Sequence, residues 1–133
     1  MIDKISRWAL YGSDGIIKQI YTGPESEAKL QNSYYIQIAD DLDDSNAYVR
    51  DGKIMAKQQF SLSINKSIIT ADGVDTITIT NIPADTLVTW WDGQQDIITD
   101  GILEITSDLE GEYKIILDHP HYLQESLTFE ARN

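Results

Sequence analysis

The chain contains no cysteine among its 133 residues. Disulfide bonds, thiolate metal sites and cysteine nucleophiles are therefore excluded, so stability has to come from packing or from association with other chains. Histidine is almost as scarce, and the only two are His119 and His121. These imidazoles flank Pro120 and make an incomplete zinc site, and a Ser-His-Asp triad would have to use one of them.

Common catalytic and phosphate-binding motifs are missing as well. The sequence has neither a Gly-x-Ser-x-Gly elbow nor a glycine-rich loop of the kind that cradles phosphate. Carboxylates are plentiful, but their abundance alone does not indicate the paired acids of a glycosidase. We therefore expect a non-enzymatic protein with no catalytic residue, no cofactor and no metal site.

Basic residues are few. The 10 lysines and arginines face 22 acidic residues, which gives a formal net charge of -12. This balance disfavours an electrostatic grip on nucleic acid or on an anionic membrane surface. The acidity is concentrated after residue 60, where 13 acidic side chains meet 3 basic ones. The start Met1-Ile2-Asp3-Lys4 lacks a basic region followed by an apolar run, so we expect no export signal and no membrane anchor.

Asp-Gly dipeptides recur along the chain. Asp-Gly accommodates positive φ, and between apolar runs it predicts a hairpin. We expect one hairpin from residues 8–11 and 16–21, and another from residues 47–50 and 53–56. The five Asp-Gly pairs are Asp14-Gly15, Asp51-Gly52, Asp72-Gly73, Asp92-Gly93 and Asp100-Gly101.

One short helix is predicted between these hairpins, over residues 25–31. Pro24 suits a first helical position, and the carboxylates of Glu25 and Glu27 suit the helix dipole. Residues 34–38 then read as a strand. The acidic run that follows, Asp40, Asp41, Asp43 and Asp44, could bind calcium, but it lacks the glycine and glutamate of an EF-hand, and we favour a solvated loop.

The sequence after residue 60 is typical of β-structure throughout. Ile77 and Ile79 alternate with threonines, as a half-buried strand requires. Further strands are expected over residues 87–91, 102–106, 112–117 and 126–131, and their predicted core residues are Tyr113, Ile115, Leu117, Leu127, Phe129 and Ala131. The pattern Asp108-x-x-Gly111-x-Tyr113 indicates an immunoglobulin-like sandwich. We thus predict a mostly β protein: a small β-hairpin module with one helix over residues 1–60, and an immunoglobulin-like β-sandwich over residues 61–133.

Trp90-Trp91 is the most distinctive pair in the chain. On a strand, adjacent side chains point to opposite faces, so one indole should enter the core while the other faces solvent or a partner. An outward indole could stack on a sugar or anchor a protein contact, although a neighbouring strand or the first module could also cover it. We predict a partner-binding surface formed by Trp91, Asp92 and Tyr122.

Several short motifs follow one another along the chain. The first part contains Ala9-Leu10-Tyr11, Asp14-Gly15, Tyr21-Thr22-Gly23-Pro24-Glu25, and Asp43-Asp44 followed by Tyr48-Val49-Arg50-Asp51-Gly52-Lys53-Ile54. The second part contains Ile68-Ile69-Thr70-Ala71-Asp72-Gly73, Ile79-Thr80-Asn81-Ile82-Pro83 and Gly111-Glu112-Tyr113, and it is similar to a bacterial Ig-like domain. The order of these motifs resembles a group of bacteriophage virion accessory proteins encoded near tail-fibre genes. Family members often have prolines after the second hairpin, where this chain has Ala56-Lys57-Gln58-Gln59.

This resemblance implies a structural or attachment component of a tail or capsid, located in the virion. Its partners would be other virion proteins, with the chain either a homo-oligomer or docked on a symmetric assembly, since small β domains gain stability from association. Two alternatives remain. The acidic C-terminal half could imitate DNA and inhibit a host defence complex, or Trp90-Trp91 could belong to a carbohydrate-binding adhesin that contacts a host-surface glycan.

Overall fold

The computed structural model describes residues 5–32 and 34–133. The expectation of no export signal concerns Met1 to Lys4, which lie outside the described residues. The described chain is mostly β with one short helix, which confirms the predicted β-rich class. Within it, no helix combines the length and the apolar character needed to cross a membrane.

The chain divides into two compact units, Met1–Gln58 and Gln59–Asn133. In the first unit, β1, β2 and β3 form a sheet in the order β2-β1-β3, while β4 and β5 form a separate hairpin. The elements of this unit are β1 (Ile5–Tyr11), β2 (Ile17–Pro24), α1 (Glu25–Gln31), β3 (Tyr35–Gln37), β4 (Ala47–Arg50) and β5 (Lys53–Ala56).

Both faces of β1 are buried. On one face Trp8 and Leu10 pack with Ala28 of α1, and on the other Ala9 packs with Ile17 and Val49. Because side chains alternate along a strand, the helix and the β4–β5 hairpin cover opposite faces of the sheet. The run of three consecutive buried residues in β1 follows from this double cover.

Both hairpins predicted in this unit are confirmed, since β1 pairs with β2 and β4 pairs with β5, each antiparallel. The helix spans the predicted residues, but Pro24 is its N-cap and the last residue of β2, with φ -72° and ψ 149°, rather than the first helical residue. Proline has no N–H to continue the strand ladder, so the strand ends where the helix begins.

The second unit consists of two sheets. The five-stranded sheet has the order β10-β9-β12-β13-β7, and the three-stranded sheet has the order β11-β8-β6. Neighbouring strands are antiparallel, except that β7 runs parallel to β13. The strands are β6 (Ser63–Ile64), β7 (Ile68–Thr70), β8 (Ile77–Thr80), β9 (Thr86–Thr89), β10 (Gln95–Ile98), β11 (Leu103–Ile105), β12 (Gly111–His119) and β13 (Tyr122–Arg132).

The two sheets share one hydrophobic core. Ile77 and Ile79 of β8 are buried, as their alternation with threonine predicts, and they join Ile115, Leu117 and Phe129 from the other sheet. Four of the six predicted core residues of β12 and β13 are fully buried, while Tyr113 and Leu127 are half-buried against the same cluster. The strand β10 was not predicted, because it lies at a sheet edge and three of its four residues are exposed.

All five glycines of the Asp-Gly pairs have positive φ, which confirms the predicted turns. Three of these turns close antiparallel hairpins. The other two, at Gly73 and Gly101, lead from one sheet to the other, because β7 and β8 lie in different sheets and so do β10 and β11. The dipeptide therefore specifies a reversal of the backbone but not the pairing of the strands beside it.

Candidate functional site

The two adjacent tryptophans lie in the β9–β10 connection. The Trp90 N–H donates to the Gln94 carbonyl at 2.8 Å, and the Gly93 N–H donates to the Trp90 carbonyl at 3.0 Å. Gly93 has φ 89°, and the Asp92 carboxylate accepts a hydrogen bond from the Gln94 N–H at 3.0 Å. This is a tight turn followed by a left-handed glycine, so Trp91 and Asp92 occupy its two central positions.

The sequence-based placement of Trp90 and Trp91 on a strand is wrong, because β9 ends at Thr89. Their separation into an inner and an outer residue nevertheless holds. Trp90 is half-buried against the core, and its indole N–H donates to the Asp96 carboxylate at 2.7 Å. Trp91 remains 45% exposed. The two rings touch edge to face, with centroids 5.6 Å apart.

Neighbouring strands cover the rest of Trp91. Its ring centroid lies 4.8 Å from that of Tyr113 on β12 and 5.8 Å from that of Phe129 on β13. Tyr113 and Phe129 are themselves stacked at 5.3 Å. Trp91 therefore closes one end of the core and also presents indole surface to solvent.

Tyr113 ties this aromatic group to the preceding loop. Its hydroxyl donates to the Leu109 carbonyl at 2.6 Å and lies 2.9 Å from the Ser107 hydroxyl. The Ser107 hydroxyl in turn accepts a hydrogen bond from the Leu109 N–H at 3.1 Å. The loop between β11 and β12 is thereby fixed to the ring on which Trp91 packs.

A surface groove runs beside the exposed indole, between the β9–β10 turn and β11. It has a volume of about 320 Å³. We call it the tryptophan groove; its lining residues are Trp90, Trp91, Asp92, Gln94, Glu104, Ile105 and Thr106. An indole surface, two carboxylates, an amide and a hydroxyl thus share one open depression. Of these, Trp91 and Asp92 were predicted from the sequence.

Glu104 and Thr106 were missed because they lie more than ten residues further along the chain and reach the groove only through sheet packing. The pattern Leu103-Glu104-Ile105 does carry information, since alternation predicts an outward Glu104 between two inward residues. Leu103 and Ile105 are buried and Glu104 is exposed.

No family model matches this chain, and no curated protein or solved structure is significantly similar to it. What the tryptophan groove can bind therefore follows from its own side chains.

Tyr122 does not belong to this groove. Its ring stacks on Phe60 with a centroid distance of 5.0 Å and meets the edge of His119 at 5.1 Å. In the β12–β13 ladder Tyr113 lies opposite Phe129, whereas His119 lies opposite Tyr122. Six residues of strand separate the two positions, or about 20 Å. The structure brings Trp91 and Asp92 together and leaves Tyr122 at the other end of the sheet.

Local hydrogen bonds hold the ring of His119 beside His121. The His119 Nδ1 accepts a hydrogen bond from the His121 N–H at 3.0 Å, so the remaining ring proton is on Nε2, which lies 3.1 Å from the Ala84 carbonyl. Both nitrogens of His119 are thus engaged. In residues 5–32 and 34–133, no group of three or more histidine or acidic side chains is placed to hold a metal ion.

The acidic loop at residues 40–44 is held by hydrogen bonds from Arg7 and from Ser45. Arg7 donates to the carbonyls of Ala39 and Leu42. The Asp43 carboxylate accepts hydrogen bonds from the hydroxyl and the N–H of Ser45. These bonds from Ser45, with a smaller contribution from the Arg7 charge, hold the pKa of Asp43 below its ordinary value.

Several other aspartates have the same local role. Asp14, Asp92 and Asp100 each accept a hydrogen bond from the N–H two residues further on, at 3.0 to 3.1 Å. Such bonds stabilise turns. The bond from the Ile16 N–H is the largest cause of the lowered pKa of Asp14. Part of the acidity of the chain is therefore explained by turn formation.

Proposed function

We propose that the second unit is an immunoglobulin-like sandwich and that the protein is a non-enzymatic structural or attachment component of a phage particle. The observation that carries the first part is the strand order. The chain enters through β6 in one sheet and crosses to β7 in the other, where it runs parallel to the last strand, β13. Two sheets around one core, with the first strand divided between them, are the arrangement we assign to this fold.

The hydrogen bond of Tyr113 supports the same assignment. In immunoglobulin-like domains a tyrosine near the start of the sixth main strand bonds back to the backbone a few residues upstream. Tyr113 is the third residue of β12, and its hydroxyl bonds to the carbonyl of Leu109, four residues earlier. The pattern Asp108-x-x-Gly111-x-Tyr113 thus corresponds to a defined contact.

The phage assignment rests on the resemblance of the motif order, and two of the matching segments lie side by side in the first unit. Two of the matching segments, Asp14-Gly15 and Tyr48-Val49, are more than thirty residues apart in the sequence. The Val49 N–H donates to the Gly15 carbonyl at 2.9 Å, so these segments meet in the fold. Both segments therefore belong to one compact module of the fold.

The protein acts through contacts with other molecules. Protein partners are other virion proteins, with the chain either self-associated or docked on a symmetric assembly. The surface that carries these contacts is centred on Trp91 and Asp92, because a partly exposed indole gives a large contact area at a low entropic cost. A glycan on the host surface is the second candidate partner, favoured by the mixture of indole and polar side chains in the tryptophan groove.

Mass spectrometry of purified particles of the phage that encodes the chain tests this function. We expect the protein to be present at a copy number that matches a symmetry of the particle, relative to the major capsid protein. Absence from the particles, together with normal expression in infected cells, would contradict a structural role. The acidic inhibitor of a host defence complex would then become the leading hypothesis.

A further inference from the structure

We infer that the tryptophan groove is a binding site for an uncharged saccharide. This inference deepens the attachment role proposed above and rests on it. It follows from three properties of the groove: an aromatic surface, a set of hydrogen-bonding side chains around it, and an electrostatic potential that selects against acidic ligands.

The aromatic surface is the exposed part of Trp91. A sugar ring has one face made of C–H groups, and an indole offers a flat apolar surface on which such a face can lie. Trp91 is 45% exposed, yet its ring is braced by Tyr113 and Phe129. A braced side chain loses little conformational entropy when a ligand binds.

Hydrogen-bonding groups surround this surface. The carboxylates of Asp92 and Glu104 accept hydrogen bonds from hydroxyl groups, and bonds to a charged acceptor are stronger than neutral ones. The amide of Gln94 and the hydroxyl of Thr106 can both donate and accept. All four side chains line the same groove as the indole. Saccharide hydroxyls, which also donate and accept, match this set.

Charge sets the specificity. The groove contains two carboxylates and no basic side chain among its lining residues. It also belongs to the half of the chain with 13 acidic and 3 basic residues. Sialylated or sulfated saccharides are therefore repelled, and uncharged ones are not.

Size sets the affinity. A volume of about 320 Å³ lies at the small end of ligand sites and suits one or two sugar rings. A single ring of about 12 non-hydrogen atoms, bound with the efficiency per atom that is usual for drug-sized ligands, has a dissociation constant in the millimolar range. Several copies on one particle would raise the avidity without any further contact.

The test uses the full chain and ligand-observed NMR by saturation transfer. The probes are methyl α-glucopyranoside, methyl β-galactopyranoside and N-acetylglucosamine, with N-acetylneuraminic acid and tetramethylammonium as charged comparisons. We expect at least one uncharged saccharide to bind with a millimolar dissociation constant. We also expect N-acetylneuraminic acid to bind at least about tenfold more weakly, because the carboxylates of Asp92 and Glu104 repel its carboxylate. Tetramethylammonium tests the alternative that the groove binds an organic cation.

Variants locate the site. Trp91→Ala should abolish binding, and Glu104→Gln, which keeps the shape of the side chain but removes its charge, should weaken it about tenfold. Ile97→Ala is the matched control, since Ile97 is an exposed apolar residue of β10 that does not line the groove. Because Trp91 also packs on Tyr113, thermal unfolding is measured for each variant, and Trp91→Phe keeps an aromatic ring if the alanine variant unfolds.

Three results would overturn the inference: no uncharged probe binds up to about 50 mM, binding is undiminished in a folded Trp91→Ala or Trp91→Phe variant, or a charged probe binds best. None of these depends on the composition of the particle. If saccharide binding fails while the protein is found in virions, the structural role stands without the groove.

Discussion

Gly15 and Gly52 each follow an aspartate in a turn of the first unit, and both have positive φ, at 80° and 73°. Their surroundings differ. A Cβ atom at Gly15 would lie 2.1 Å from the Val49 carbonyl oxygen, whereas nothing lies within 4 Å of the corresponding position at Gly52. The Gly15 turn is thus pressed against the backbone of β4, and the Gly52 turn faces open space.

Alanine substitutions should separate the cost of positive φ from the cost of the close contact with Val49. Gly52→Ala should lower the free energy of unfolding by roughly 1–2 kcal/mol, the cost of positive φ in a residue with a Cβ. Gly15→Ala should cost roughly 1–3 kcal/mol more, because the backbone of β4 has to move away. Urea unfolding, followed through amide NMR signals of the first unit, measures both. Equal losses would mean that the contact with Val49 relaxes without cost.

At the scale of elements, the connection from β7 to β8 is held by two carboxylates. Asp72 accepts hydrogen bonds from the N–H groups of Val74 and Asp75, and Asp75 accepts one from the Thr70 N–H at 2.8 Å. Asp75 also pairs with Lys66. The bond from Lys66 is the largest cause of the lowered pKa of Asp75, and the bond from the Asp75 N–H is the largest for Asp72.

These pKa shifts predict a loss of stability in acid. A carboxyl group with a lower pKa in the folded state stabilises the fold above its unfolded pKa, which is about 3.9 for aspartate. That stabilisation disappears as the pH falls through the lower, folded value. The free energy of unfolding of the second unit should therefore decline below about pH 4. The double variant Asp72→Asn/Asp75→Asn should show a shallower decline in urea titrations from pH 7 to pH 2, and an unchanged slope would contradict this account.

How much of these elements the sequence predicts depends on the range of the contacts. Alternation in residues 77–80 predicts a strand and its buried face, because both are local consequences of the pleat. Asp72-Gly73 and Asp92-Gly93 are identical dipeptides, yet the first leads across the two sheets and the second closes a hairpin. That difference depends on which strands pair, and pairing is decided by contacts distant in sequence.

In the candidate site, too, local patterns can be predicted from the sequence and contacts distant in sequence cannot. Trp91 and Asp92 stand out because the pair of tryptophans and the turn beside it are local patterns. Glu104 joins them only because β11 packs in the opposite sheet. Tyr122 was grouped with them incorrectly, because the β12–β13 register that carries it to the other end cannot be read from composition or alternation.

At the scale of the whole molecule, the parallel pairing of β7 with β13 has a mechanical consequence. The chain enters β7 at one end of the pair and leaves β13 at the opposite end. Tension between Gln59 and Asn133 thus slides the two strands past each other. This tension acts on two hydrogen bonds at the same time, one from the Glu130 N–H to the Ser67 carbonyl and one from the Ala71 N–H to the Arg132 carbonyl.

Tension between Glu110 and Asn133 acts differently, because it separates the adjacent ends of the antiparallel strands β12 and β13, whose pairs then open one after another. Single-molecule pulling should therefore show a higher unfolding force for the first pair of attachment points than for the second, in the same folded unit. Equal forces would mean that the β7–β13 pair bears little load. A unit that shares tension among several bonds is suited to serve as a link between two larger bodies that pull apart.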